Sequence, residues 1–224
     1  MAAAIASVTR VAGGDDVGIT TPRYHIQMPR YASRSWRSFD PAALAERRDP
    51  AVAPPPAPKR VLGLDPGSLR TGFGIVDCDA RGEVHVASGC VQVRGTNLAL
   101  RLHQIHRRLL ELVEQYRPDE VAIERVFMHR NADSALQLGQ ARGAALTAAV
   151  AAGAAVYEYA PRAVKLAVVG HGGADKAQVA HMVCVLLSIE TPTSADESDA
   201  LAIALCHAHA RRSVGRLAAM GATR

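Results

Sequence analysis

Four carboxylates stand where an apolar run stops or starts. Asp65 ends "RVLGLD" and is followed at once by Pro66-Gly67-Ser68, Glu124 ends "DEVAIE", and Asp196 and Asp199 open "ADESDALAIAL". Each has a plain structural reading. Asp65 before Pro-Gly suits a turn, and Glu124 suits a strand end paired with Arg125 or Arg142. Asp196 suits the first turn of a helix capped by Ser194, with Glu197 completing an S-x-x-E capping box. Asp199 is the exception, because it lies past the first turn at the head of an apolar face, beyond reach of the helix dipole. Asp196 and Asp199 are three residues apart and share one helix face. In an open α/β sheet, sites form beyond the carboxyl ends of the strands, so these acids, on two strand ends and a helix start, point to one cluster. Four carboxylates brought together repel unless cations neutralise them. An all-oxygen set without Cys or His points to Mg²⁺ or Mn²⁺. Two such ions roughly 4 Å apart activate a water and stabilise the leaving oxygen of a phosphodiester.

The elements that must position these acids follow from periodicity. "RVLGLD", "GFGIVDCD" and "EVHVASGCVQVR" alternate or run apolar and are joined by short connections rich in Gly and Asp, which predicts an antiparallel meander. A helix over Asn97 to Tyr116 carries Leu98, Leu102, Ile105, Leu109, Leu112 and Val113 on one face and ends before Pro118. "DEVAIE" is a fourth strand, "NADSALQLGQARGAALTAAVAA" a long helix and "AAVYEYA" a fifth strand. Further helices are expected near 161–169, 174–188 and 195–213. Hairpin strands followed by alternating helix and strand give a mixed five-stranded α/β sheet flanked by helices. If the first and fourth strands are parallel neighbours, Asp65 and Glu124 emerge side by side.

The composition narrows the class. Of 224 residues, 49% are hydrophobic and 21% charged, as expected of a core-forming globular chain. The formal charge is +5, but 8 of the 26 basic and 5 of the 21 acidic residues lie in 1–59, leaving 18 and 16 in the remainder. A nucleic-acid site there must come from clustering rather than bulk charge. Cys78, Cys90, Cys184 and Cys206 have no CxxC or zinc-ligand spacing, so free thiols in a reducing compartment are expected. The longest uncharged apolar stretch, Gly143 to Tyr157, is too short for a membrane span. Residues 1–59 show no sustained period and end in "DPAVAPPPAPKR", which favours extended backbone. They are expected to be a disordered tail, an upstream start or added sequence, with a domain over 60–224. The N-terminus lacks the pattern of a secretory signal, and its five acids argue against a transit peptide.

The segments "GLDPGSLRTGFGIV", "AIERVFMHRNADSALQLGQARG", "VYEYAPRAVKLAVVGHGGADKAQVAHMV" and "ADESDALAIALCHAH" are the ground for a family resemblance. Across residues 60 to about 210 the chain resembles the RuvC family of Holliday-junction resolvases, endonucleases with an RNase H-like fold. The resemblance implies that Asp65, Glu124, Asp196 and Asp199 are the metal-binding catalytic acids, with Asp65 bridging two Mg²⁺ ions that Mn²⁺ can replace. It implies that Phe127 contacts bases near the crossover, and base–aromatic stacking of roughly 1–3 kcal/mol suits that task. Lys165 and Lys176, the only lysines after Lys59, match basic residues near the scissile phosphate. Together with Arg125, Arg130 and Arg142 they are expected to bind backbone phosphates, with affinity falling steeply in salt. A four-way DNA junction as substrate, a homodimer, a RuvA/RuvB branch-migration partner and a cytoplasmic location follow from the same resemblance.

Some features stay outside the family pattern or open. Ala135, Gly139, Gly143, Thr147 and Ala151 form a small-residue stripe that suits either packing on the sheet or a dimer partner. His171 in a glycine loop and the helical pairs His103 with His106 and His207 with His209 are expected at the surface. Pro66-Gly67 is expected to turn the chain away and leave room for the substrate backbone. An ATPase of the actin and sugar-kinase superfamily also begins with a strand, an Asp and a Gly-rich turn, but needs a second domain for which the chain is too short. A junction-binding scaffold without chemistry is the alternative function, and the fourth acid, Asp199, argues against it.

Overall fold

The computed structural model describes residues 58–221 apart from positions 80, 126–131, 152 and 193. The expected N-terminal segment therefore lies outside the described residues, except Pro58 and Lys59. Strands β1 (Lys59–Asp65), β2 (Arg70–Cys78) and β3 (Glu83–Gln92) are followed by helix α1 (Leu98–Tyr116), β4 (Glu120–Glu124), α2 (Ala132–Ala151) and β5 (Ala155–Tyr159). Helices α3 (Pro161–Val169), α4 (Lys176–Leu187) and α5 (Ala195–Gly221) complete the order.

The five strands form one sheet in the order β3-β2-β1-β4-β5. The β1–β2 and β2–β3 pairs are antiparallel, and β1–β4 and β4–β5 are parallel. This is the mixed sheet that the periodicity predicts. Two details differ. β2 begins at Arg70 rather than Gly72, because the β2–β3 ladder continues to Arg70 opposite Gln92. α5 runs to Gly221 rather than 213.

Alternation along the strands divides the core into two. Leu62, Leu64, Ile75, Val121 and Ile123 pack with Ile105, Leu109 and Val113 of α1 and with the alanines of α2. Spacing of four along α1 puts those three side chains on one stripe, and each contributes roughly 1.5–3 kcal/mol on burial. On the other face, Val61, Val76 and Ala122 pack with α3, α4 and the Leu201–Cys206 stretch of α5. That face is lined with small residues under α5. A methyl group at Gly63 would lie 2.1 Å from the Ala200 carbonyl oxygen, and one at Gly74 would lie 2.7 Å from Leu201 Cδ2. The glycines let the helix backbone rest almost directly on β1 and β2.

Helix ends are set by local chemistry. The Asn97 side chain accepts from the Leu100 N–H to start α1, and Arg117 closes it in the left-handed region ahead of Pro118. Pro161 opens α3 at its first turn, and Gly170 closes it at φ 89°. Asp175 and Gln178 form a reciprocal capping box at the start of α4, which fixes Lys176 at that helix's first residue.

Candidate active site

β1 and β4 run parallel, with Leu64 beside Ile123, so Asp65 and Glu124 leave the sheet at the same edge. α5 starts above them. Gly72 pairs with Asp65 across the β1–β2 hairpin, and a methyl group at Gly72 would lie 1.9 Å from the Asp196 carbonyl oxygen. The hairpin thus seats the first turn of α5 over the strand ends, and Asp196 and Asp199 come with it. Ser194 Oγ accepts from the Glu197 N–H at 3.2 Å, which caps that turn as its sequence suggests. The Glu197 carboxylate is buried and accepts from Ser88 Oγ at 2.6 Å, tying the same turn to β3.

Electrostatics shows the four acids acting on one another. Burial, then the charges of Asp199, Glu124 and Asp196, push the Asp65 carboxyl up to about 7. Burial and Asp199 also raise the Glu124 carboxyl, against the opposing pull of Lys176 and Lys165. Lys176 Nζ lies 3.0 Å from Asp199 Oδ2, and this hydrogen bond raises the ammonium pKa. Arg70 Nε lies 3.4 Å from Asp196 Oδ2. These two cations each pair with one acid of the α5 start, and among the described residues no three Asp, Glu, His or Cys side chains stand at single-ion spacing. The donor chemistry nevertheless fits a hard divalent cation: the donors are all carboxylate oxygens, and burial together with mutual repulsion raises Asp65 and Glu124.

The other expected site residues divide. Lys165 and Lys176 line, with Glu124 and Asp199, a cleft of about 280 Å³ whose floor is Val164, Val179, Ala202 and Ile203. Arg125 and Arg142 both approach Glu158, at 3.8 and 2.6 Å, and Arg142 Nε donates to the Glu124 carbonyl at 3.3 Å. Arg142 is mostly buried and braces the strand end, whereas Arg125 is half exposed. Phe127 and Arg130 lie outside the described residues.

A methyl group at Gly67 would lie 2.4 Å from the Arg70 carbonyl oxygen, so the glycine lets this turn close on itself. Thr71, fully buried, donates from its hydroxyl to the Gly67 carbonyl at 3.2 Å. Two readings of the sequence are corrected. First, His207 is in the core, not at the surface, with 1% exposure. Its Nε2 lies 2.6 Å from Glu120 Oε2, its Nδ1 lies 2.7 Å from the Tyr159 hydroxyl, and Arg211 Nε also reaches Glu120 at 3.1 Å. A carboxylate only accepts, so Nε2 carries a proton, and in the neutral ring Nδ1 accepts from Tyr159. The sequence signal was the run Ala200 to Ala208, buried on every side, which leaves no outward face for His207. Second, His209 is half-buried rather than at the surface, with Nδ1 3.0 Å from the Ala167 carbonyl oxygen. Arg70 was not foreseen, because nothing in a polar turn marks which charge will face the cluster.

Comparison with known proteins identifies the company this arrangement keeps. The family model for "Crossover junction endodeoxyribonuclease RuvC" matches residues 61–207. Proteins of that name from Methylococcus capsulatus and Marinobacter nauticus are each 54% identical over 161 residues, covering 72% of this chain and 97% and 92% of their own lengths. The chain is similar to the solved structure of Thermus thermophilus RuvC in complex with Holliday junction substrate, at 39% identity, TM-score 0.65, and coverage of 69% of this chain and 96% of the other. The yeast mitochondrial Holliday junction resolvase Ydc2, at 10% identity, covers 70% of this chain and 82% of its own, and with TM-score 0.52 shares the fold alone.

Proposed function

This chain belongs to the RuvC family of crossover junction endodeoxyribonucleases, and on that premise we propose how its four acids resolve a four-way DNA junction. The observation that carries the reading is the convergence of Asp65, Glu124, Asp196 and Asp199 at one sheet edge, with Asp65 pushed up to about 7 by burial and the other acids. Divalent cations, two Mg²⁺ with Mn²⁺ able to replace them, supply a nucleophilic water and shield the departing 3′ oxygen when bound. Asp65, Glu124, Asp196 and Asp199 would hold these ions through their carboxylate oxygens. The chain's own part is to fix these oxygens on rigid elements: strand ends for two, a capped helix turn for two.

Lys165 and Lys176 border the acids and neutralise phosphate oxygens on the β4 side. Arg125 extends that basic border, Arg142 keeps the end of β4 in place, and the resemblance gives Arg130 a backbone phosphate and Phe127 a base opened at the crossover. Paired nicks need two sites related by two-fold symmetry, so the working unit is a homodimer. Supporting that, the buried residues of α2 are Ala141, Ala145, Ala148 and Ala149, whereas a methyl group at Gly139 or Gly143 would meet nothing within 4 Å. The small-residue stripe therefore faces away from the sheet, open to a partner helix. Family membership supplies RuvA/RuvB as the branch-migration partner. A cytoplasmic location fits a DNA substrate, and among the described residues no helix is long and apolar enough to cross a membrane.

The test is cleavage of a synthetic four-way junction in Mg²⁺ or Mn²⁺. Wild type is expected to give paired symmetric nicks with 5′ phosphates. Asp65→Asn is expected to lose at least about a hundredfold in rate while still binding the junction. Binding without nicks by wild type in either metal would sink the catalytic reading and favour a scaffold.

A further inference from the structure

We propose that Arg70 is a phosphate-binding residue of this site, gripping the DNA strand on the side opposite Lys165 and Lys176. The inference rests on the four-acid reading of the site and adds a contact to it. Three of the four carboxylates cross the sheet edge from Asp196, above Gly72 of β2, through Asp65 on β1, to Glu124 on β4, with Asp199 three residues along α5 from Asp196. Lys165 and Lys176 stand at the β4 end of this row, lining one cleft with Glu124 and Asp199. Arg70 stands at the β2 end, 3.4 Å from Asp196. Two strand spacings separate the ends, about 10 Å. A DNA strand laid over the acids passes from one cationic end to the other.

The geometry suits Arg70 for a substrate role better than a structural one. Its side chain is 54% exposed, and it pairs with Gln92 in the β2–β3 ladder two residues before Gly72, Asp65's hairpin partner, so its Cα is held while its head reaches the cluster from the solvent side. Cys90 on the adjacent strand touches both Arg70 and Asp196, which keeps the guanidinium at the rim of the cluster. An exposed pair of this kind contributes little to stability. When cations take up the charge of Asp196, the guanidinium loses its hold there and presents its N–H fork to a phosphate, a geometry that matches two oxygens at once.

The test measures binding, not turnover. A fluorescent four-way junction is titrated with wild type, Arg70→Ala, Arg70→Lys and Arg107→Ala in Ca²⁺, at several KCl concentrations. Arg107 is an exposed arginine of α1, on the opposite face of the sheet, and its variant controls for bulk charge. Arg70→Ala is expected to bind about tenfold more weakly at low salt, with the slope of log affinity against log salt shallower by about one. Arg70→Lys is expected to recover the slope and only part of the affinity, and Arg107→Ala to match wild type. Equal slopes for wild type and Arg70→Ala, with junction selectivity intact, overturn the assignment and leave the resolvase reading standing. A wild type that prefers linear duplex to the junction overturns both.

Discussion

A carboxyl group held near half-protonation at neutral pH is costly to place at a strand end, and the cost has a measurable pH signature. The folded-state pKa of Asp65 is raised from 3.8 to about 7, mainly by burial and then by Asp199, Glu124 and Asp196, and Glu124 is raised too. The folded protein therefore holds protons that the unfolded chain has released. Stability linked to these groups is fully present below pH about 4 and is lost as pH rises through about 7. Lys176 is also raised, but its linked stability is lost only in the alkaline range. In metal chelator, Asp65→Asn is expected to melt with wild type at pH 4 and above it at pH 8, by the equivalent of about 1 kcal/mol, or roughly 2–4 °C. Adding Mg²⁺ at pH 8 should close that gap by stabilising wild type alone. A gap constant with pH would refute the raised pKa of Asp65, and one unmoved by Mg²⁺ would separate that pKa from metal binding.

Between residue and fold stands α5, which places two of the four acids. Its register on the sheet is fixed at three kinds of contact. Gly63, Gly72 and Gly74 admit its backbone, and Ser88 holds Glu197 beside Asp196. Further along, Tyr159 and Glu120 hold His207, Arg211 reaches the same Glu120, and Arg212 pairs with Glu83. The glycine at position 72 is the most direct probe, because a methyl group there meets Asp196's own carbonyl. Gly72→Ala is expected to cost roughly 1–3 kcal/mol through overpacking. The helix start must shift to accommodate it, so cleavage should fall about a hundredfold, with circular dichroism unchanged. Retained full activity would show that Asp196 does not depend on this close approach.

At the scale of the whole molecule, the proposed paired cleavage calls for a second copy. Helix α2 turns its buried alanines toward the core and leaves Gly139 and Gly143 uncovered. Gly143→Leu is therefore expected to leave the protomer folded and to block close helix approach. Sedimentation should then give one protomer's mass of 23.7 kDa, and junction cleavage should yield single rather than paired nicks. An unchanged dimer would place the interface elsewhere.

Sequence alone determined the strand and helix order, because periods of 2 and 3.6 are local consequences of which side chains face the core. It also offered the four acids as a candidate set, because together they stand where apolar runs stop or start, although three of them have plain structural readings one by one. It did not reveal which long-range neighbours those runs acquire. Arg70's approach to Asp196, the burial of His207 between Glu120 and Tyr159, Glu197's partner on β3 and the outward turn of the α2 stripe all depend on elements distant in the chain being packed together. Only the tertiary structure decides these, since hydrogen bonds and ion pairs form by proximity in space. The same local pattern, a glycine in a strand or a histidine in a helix, is compatible with either outcome until its neighbour is known.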